Sequence, residues 1–358
     1  MNWDVSDKVA PRKTRSQRLL DLVAPYEQVL VVTHDNPDPD AIAAGWAILY
    51  LVEKKLAKPG RLIGGGAIVR AENRHMVKLL GSPIELVRGV TCPANTAVIL
   101  VDCAWGSENH LFNERGIEPV AVLDHHRPQP HHRHRLPFQD VRHQVAASAT
   151  IAACYLREQE ILPTSELATA LLYAIRTETR GNETYHTRLD RSIVLWLSER
   201  ADFPQLAEIE NAPLTREYFS DLVLALQSTL IYEDTALCLL PRASGPEIVG
   251  EVADLLIRCE AIQRVLCGAV VQEDLVLSVR TAHGGEDATE LLCRTLDGIG
   301  KGGGHLHRAG GKIPGRGLGR DVGEVLRTEL PERWLAACGM SGQRGTYLIA
   351  RREIVENL

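Results

Sequence analysis

Short, wholly apolar runs alternate with longer stretches of helical periodicity over the first half of the chain. "EQVLVVTH" (27–34), "RLIGGG" (61–66), "TAVILVDCA" (96–104) and "EPVAVLDHH" (118–126) predict strands, the second running into a turn. Between them "DAIAAGWAILYLVEKKL" (40–56) and "RAENRHMVKLL" (70–80) predict helices, with Asp40 as the cap of the first. "VAASATIAACYLRE" and "SELATALLYAIRTE" follow as two apolar helices. Strands that are apolar at every position, separated by helices, mean a parallel sheet covered on both faces.

The pattern breaks near 205–235, where "TREYFSDLVLALQSTLIYED" predicts a long connecting helix, and then restarts. "ALCLLP" is strand-like and "PEIVGEVADLLIRCE" helical, "RVLCGAVVQ" and "LVLSVRT" pair as a hairpin, and "ATELLCRTLDG" is a helix. The glycine-rich "GKGGGHLHRAGG" (300–311) reads as a loop, and "DVGEVLRTELPERWLAAC" as a closing helix. The organisation expected is α/β throughout: a parallel-sheet domain over 1–205, a linker helix and hinge over 206–235, a smaller α/β domain over 236–340 and a tail over 341–358.

A length of 358 residues fits two domains, and 45% hydrophobic residues suffice for ordinary cores. A net charge of −6 excludes a polyanion binder of the histone type, so any nucleic-acid contact must come from a local basic patch. No apolar run reaches the length of a membrane span, and the N-terminus lacks a signal-peptide pattern. The 8 cysteines form no CxxC pair, which argues against a zinc ribbon or a disulfide framework and for buried thiols in a reducing cytoplasm.

Chemistry concentrates at strand ends. His34, Asp35, Asp38 and Asp40 follow the first strand, Asp102 ends "AVILVD", and Asp124, His125 and His126 end "VAVLDHH". The carboxyl ends of strands in an open parallel sheet form the ligand crevice, so three strands deliver carboxylates and imidazoles to one edge. Glu178, ending an apolar helix in "IRTET", is a fourth contributor. Like charges this dense repel unless a cation sits among them. Carboxylate and imidazole without thiolate suit a divalent manganese, iron or zinc ion. The acidic ligands are too many for one ion, and two ions sharing a bridging carboxylate would balance them.

"HDNPDPD", "VDCA", "LDHH" and "IRTETRG", in this order and spacing, resemble the four motifs of the DHH phosphoesterase superfamily. "GKGGGHLHRAGG" resembles the GGGH signature of its associated C-terminal domain, and the likeness spans roughly residues 25–315. The pairing resembles the branch that holds nanoRNases, pAp phosphatases, cyclic-dinucleotide hydrolases and RecJ-like exonucleases. The resemblance implies an active site in the cleft between two domains and two divalent ions, usually manganese. It places His34, Asp38 and Asp102 on one metal, and Asp40, Asp102, His125 and Glu178 on the other, with Asp102 bridging. It gives His126 the scissile phosphate and makes Asp124 the partner of the His125 imidazole. The fourth motif normally carries Asp, where this chain has Glu178.

In the C-terminal domain Gly302, Gly303 and Gly304 let backbone N–H groups approach an anion, with His305 and Arg308 as added donors. Arg280 matches the family's arginine strand position and is a candidate for a terminal phosphate. His131, His132, Arg133, His134 and Arg135 form either a basic rim that steers a polyphosphorylated substrate or a solvated loop. "GGGAIVRAENRHMV" (64–77) reads as a turn that puts Arg70 and Asn73 near the cleft mouth. The expected function is metal-assisted hydrolysis of a small nucleotide or short single-stranded nucleic acid, namely a short oligoribonucleotide, pAp, or a cyclic or linear dinucleotide. A nucleotide-binding sensor without turnover and a non-nucleotide phosphoesterase stand as alternatives. No membrane partner is expected, and a homodimer remains open.

Overall fold

A computed structural model describes residues 13–106, 109–112, 117–126, 136–179, 187–315 and 321–349, with only the backbone of His305. The chain divides into two compact units, Met1–Ala212 and Pro213–Leu358.

The first unit runs α1 (Arg15–Val23), β1 (Gln28–Val32), α2 (Pro39–Leu56), β2 (Gly60–Gly64), α3 (Ala71–Leu80), β3 (Ile84–Leu86), β4 (Thr96–Val101), β5 (Ala121–Asp124) and β6 (Phe138–Val141), then α4 (Ser148–Glu158), α5 (Ser165–Thr179), α6 (Arg188–Ser198) and α7 (Phe203–Glu210). The strands form one parallel sheet in the order β3-β2-β1-β4-β5-β6. The strand alternation divides the apolar residues between two cores. Val29, Val31, Ala97, Ile99 and Val101 face the larger one, which is built with side chains from all seven helices of this unit. Leu30, Val32, Val98, Leu100 and Val122 face the other, where Phe112 and the connecting residues Val87, Val90, Leu111 and Leu136 cover them. The expected parallel sheet is therefore present, but helices cover one face and connecting segments the other. The strands β3 and β6 escaped the sequence pattern. They are three and four residues long, and alternating or partial burial breaks their apolar runs.

The second unit begins earlier than the sequence suggests. The expected long connecting helix ends at Ser228, giving α8 (Arg216–Ser228), and is followed by β7 (Leu230–Tyr232). Ala225 of α8 is buried in a core of this unit, so the helix is part of the unit rather than a free linker. The order continues β8 (Thr235–Leu240), α9 (Glu247–Leu256), β9 (Arg264–Val271), β10 (Asp274–Thr281), α10 (Ala288–Leu296), β11 (Lys301–His305), β12 (Arg308–Ile313), α11 (Val322–Arg327), α12 (Glu329–Ala337) and β13 (Thr346–Tyr347). The sheet order is β11-β12-β10-β9-β8-β7-β13, with β8 and β9 parallel and the other pairs antiparallel. Part of the expected tail thus closes this sheet, because β13 pairs with β7. Residues of α10, α11 and α12 pack on one face and residues of α8 and α9 on the other.

The glycine-rich segment is not a loop. It folds as a β-hairpin in which Gly302 pairs with Gly311 and Gly303 with Gly310. Gly302 is required by close packing: a Cβ there would lie 2.7 Å from Leu292 of α10 and 3.0 Å from the Gly310 carbonyl. A glycine run reads as loop on entropy alone, but here the helix above needs bare backbone beneath it. No helix among the described residues is long and apolar enough to cross a membrane.

Candidate metal centre

The carboxyl ends of β1, β4 and β5 bring His34, Asp38, Asp102, His125 and His126 together. Two groups of donor atoms, each within 4.8 Å, share one residue: His34, Asp38 and Asp102 form one, and Asp102, His125 and His126 the other. The Asp102 carboxylate divides between them. Its Oδ2 lies 3.5 Å from His34 Nε2, and its Oδ1 lies 3.6 Å from both His125 Nε2 and His126 Nδ1. Asp102 is 3% exposed and sits at φ +60°, a left-handed turn directly after β4 that Asp tolerates better than most residues.

The neighbouring backbone orients these side chains. The Nδ1 of His34 lies 2.9 Å from the Asp35 carbonyl oxygen, which leaves Nε2 toward Asp102 and Asp38. Asp35 thus acts through its main chain. The cap of α2 is Asp38, not Asp40: its Oδ1 accepts from the N–H groups of Asp40 and Ala41 at 2.9 and 3.0 Å. Asp40 points elsewhere. Its Oδ1 accepts from Ala149 N–H at 2.7 Å and its Oδ2 from Ser148 N–H at 2.8 Å, at the start of α4. Its Oδ2 also lies 3.6 Å from His125 Nε2.

Ser148 was invisible as a site residue. Its hydroxyl donates to Asp102 Oδ1 at 2.8 Å, so one residue ties the shared carboxylate to Asp40. A faint signal existed, because Ala147 at the cap of α4 offers no side-chain acceptor and another element had to supply one.

The partner of Asp124 is His126, not His125. Asp124 Oδ1 lies 2.7 Å from His126 Nδ1 and accepts from His126 N–H at 3.1 Å. The turn after β5 is tight enough for a carboxylate to reach the imidazole two residues on. Glu178 ends α5 outside both donor groups, although its charge reaches Asp40.

The side chains of this cluster shift one another's titration. Burial opposes charge on His34, yet the Asp102 and Asp38 carboxylates facing it hold its pKa well above the ordinary histidine value. Burial likewise opposes charge on His126, but the Asp124 hydrogen bond together with the charges of Asp102 and Asp124 outweighs it, raising the pKa to about 9. Burial keeps His125 below the ordinary value and so neutral. Burial, then the charges of Asp102, Glu178 and Asp38, push Asp40 well up. The crowded carboxylates thus favour protonation of His34, His126 and Asp40. Oxygen and imidazole nitrogen donors around a divided carboxylate fit divalent metal ions of the manganese, magnesium or zinc kind.

The second unit treats its candidates unequally. Arg280 is 8% exposed, and its guanidinium is engaged by Asp254 at 2.5 Å, by Ser278 and by the Val279 carbonyl. It stands as a wall of the sheet rather than an open phosphate donor. Arg308 is more accessible and its Nε lies 4.0 Å from Asp254. Nothing lies within 4 Å of where a Cβ of Gly303 would stand, and Gly304 and the backbone of His305 complete the strand. Asn73 is buried and accepts from the Tyr173 hydroxyl, so it does not stand at a cleft mouth. His131, His132, Arg133, His134 and Arg135 lie outside the described residues.

Residues 28–175 match the family model described as DHH family, N-terminal domain. This match lies within the first unit, which is similar to the N-terminal domain of the DHH family. An uncharacterized protein of Methanocaldococcus jannaschii is 29% identical over 287 residues, covering 80% of this chain and 58% of that protein, so this chain spans less than two thirds of its relative. Among solved structures, an exopolyphosphatase-related protein from Bacteroides fragilis superposes with TM-score 0.61 at 13% identity, over 89% of this chain and 97% of the other. RecJ from Thermus thermophilus in complex with Mn2+ gives 0.53 at 14% identity, over 93% of this chain and 56% of RecJ. Exonuclease RecJ bound to manganese gives 0.52 at 16% identity, over 91% and 94%. The chain shares the fold of these solved structures.

Proposed function

We propose that this chain is a metal-dependent phosphoesterase acting on a small nucleotide-type substrate: a short oligoribonucleotide, pAp, or a cyclic or linear dinucleotide. The observation that carries the reading is the divided Asp102 carboxylate, with one oxygen toward His34 and the other toward His125 and His126. His34, Asp38 and Asp102 would hold one divalent ion, manganese in this reading, and Asp102 and His125 the second, with Asp40 and Glu178 close behind. Such a pair would polarise the phosphoryl group and lower the pKa of a water at neutral pH.

The chain's own groups do the rest. His126, 38% exposed at its side chain and kept protonated by Asp124, donates to a phosphoryl oxygen and stabilises charge that grows as the ester breaks. Asp124 fixes the orientation of that imidazole. Ser148 restrains Asp102 so that its two oxygens stay divided. Within the second unit, Arg308 and the bare peptide at Gly303 are the groups that could bind an anion.

Hydrolysis of pAp, a two-nucleotide RNA, cyclic di-AMP and pyrophosphate with Mn2+, beside Asp102→Asn, tests it. Turnover of a nucleotide substrate that Asp102→Asn abolishes, with loss of metal stoichiometry by elemental analysis, is the expected result. Nucleotide binding without turnover under Mn2+, Fe2+ and Zn2+ would overturn it in favour of a sensor.

A further inference from the structure

The sheet edge that carries the metal ligands has a second recess. A cavity of about 600 Å3 opens beside the end of β6, lined among others by Arg15, Arg142, His143, Gln144, Glu158 and Thr187. Register fixes its place. Asp124 of β5 pairs with Val141 of β6, so Arg142 and His143 leave the sheet beside His125 and His126. The Arg142 N–H donates to the Asp124 carbonyl at 2.9 Å. Adjacent strands are about 4.8 Å apart, which puts the cavity one strand beyond the metal ligands.

The carboxylates on this wall already accept hydrogen bonds, and parts of both guanidiniums stay clear of Asp140. Asp140 is wholly buried and accepts from Arg142 Nε and Nη2, from Arg15 and from the Tyr155 hydroxyl. Glu158 Oε2 accepts from the N–H and hydroxyl of Ser16, and its Oε1 from the Cys154 thiol. The Nη1 of Arg142 takes no part in holding Asp140, and Arg15 uses only its Nη1 there. Two guanidiniums held in place by one carboxylate are a pre-oriented receptor for an oxyanion. Exposed His143 and Gln144 add polar edges. The volume lies within the range of pockets that enclose a nucleotide-sized ligand, roughly 300–1,000 Å3.

We propose that this cavity is a second subsite, holding the nucleotide that flanks the scissile phosphodiester, with its distal phosphate on Arg142 and Arg15. This rests on the phosphoesterase reading and narrows it. The substrate is a diester with a nucleotide on each side of the bond, rather than a mononucleotide bisphosphate such as pAp.

The full chain with Mn2+ tests this on a 5′-phosphorylated dinucleotide, on pAp and on bis(p-nitrophenyl) phosphate, a diester too small to fill both sites. The variants are Arg15→Ala with His143→Ala, and Arg142→Lys, which keeps charge but loses the fork. The ratio of kcat/KM for the dinucleotide to that for the small diester should fall about tenfold in each; because both arginines also hold buried Asp140, the small diester measured on the same variant is the control for folded, active protein. Calorimetric titration of the dinucleotide with Ca2+ replacing Mn2+ reads binding without turnover and should weaken about as much. An unchanged ratio and unchanged binding overturn the subsite, as does an equal loss on both diesters or a wild-type chain that prefers pAp. If the wild type turns over neither diester but binds the dinucleotide through Arg15 and Arg142, the subsite stands and the phosphoesterase reading fails. If it does not bind the dinucleotide, the subsite is wrong.

Discussion

The hydroxyl of Ser148 donates to Oδ1 of Asp102 at 2.8 Å, the oxygen that faces His125 and His126. Removing it should loosen the shared carboxylate without emptying the site. Ser148→Ala is expected to weaken Mn2+ binding about 10- to 100-fold, the usual effect of losing a partner behind a metal ligand, and to lower kcat in parallel. The Ser148 main-chain N–H still reaches Asp40, so the start of α4 should persist. Metal titration followed by calorimetry checks the affinity, and an unchanged far-ultraviolet spectrum checks the helix.

The 2.7 Å contact between Asp124 and His126 predicts a displaced pH profile. With the carboxylate in place, His126 keeps its proton up to about pH 9. Asp124→Asn removes that charge, and the imidazole pKa should fall toward the ordinary 6.5. The alkaline limb of kcat/KM is expected to move to lower pH, with the deficit small near pH 6 and large near pH 8. A uniform loss across that range would assign Asp124 a purely structural part.

Protons and metal ions compete for this cluster, so their effects on stability should have opposite slopes. The folded-state pKa of His126 is raised from 6.5 to about 9 and that of His34 is raised as well. Their contribution to metal-free stability is therefore fully present below about pH 6.5 and is lost as pH rises through about 9. Asp38, held low by His34 despite its burial, adds stability above its ordinary 3.8 that disappears in stronger acid. Thermal melts of the metal-free protein should thus weaken between pH 6.5 and 9. The rise in Tm caused by Mn2+ should grow over the same interval, because binding releases protons. A metal-induced shift independent of pH would contradict this.

Two adjacent glycines should respond differently. Gly302→Ala places a methyl 2.7 Å from Leu292 and 3.0 Å from the Gly310 carbonyl, and overpacking of this kind costs about 1–3 kcal/mol. Gly303→Ala meets no atom within 4 Å and should leave chemical denaturation unchanged. If the Gly303 peptide touches substrate, that variant instead raises KM.

The convergence of these side chains was legible because strand ends obey a local rule. His34, Asp102 and His125 each follow an apolar run, and a parallel sheet brings such positions to one edge without any knowledge of tertiary detail. Roles that depend on a second element were not legible. Asp40 looked like the cap of its own helix, yet it caps α4, more than a hundred residues away in sequence. Asp124 was assigned to the adjacent histidine when the turn geometry favours the next one. Arg280 carried the right residue type, but only the fold shows Asp254 already occupying it. The hairpin at Gly302 was lost for the same reason, since its glycines answer to the overlying Leu292.

The backbone at Asp102 has a consequence for how this site can decay. At φ +60° glycine is at ease and asparagine nearly so, while alanine is strained. A descendant that abandoned metal could replace the shared ligand by either residue and gain local ease as well. The easiest mutational exits from metal dependence therefore leave the scaffold untouched, and a dormant copy would betray itself by Gly or Asn at this one turn.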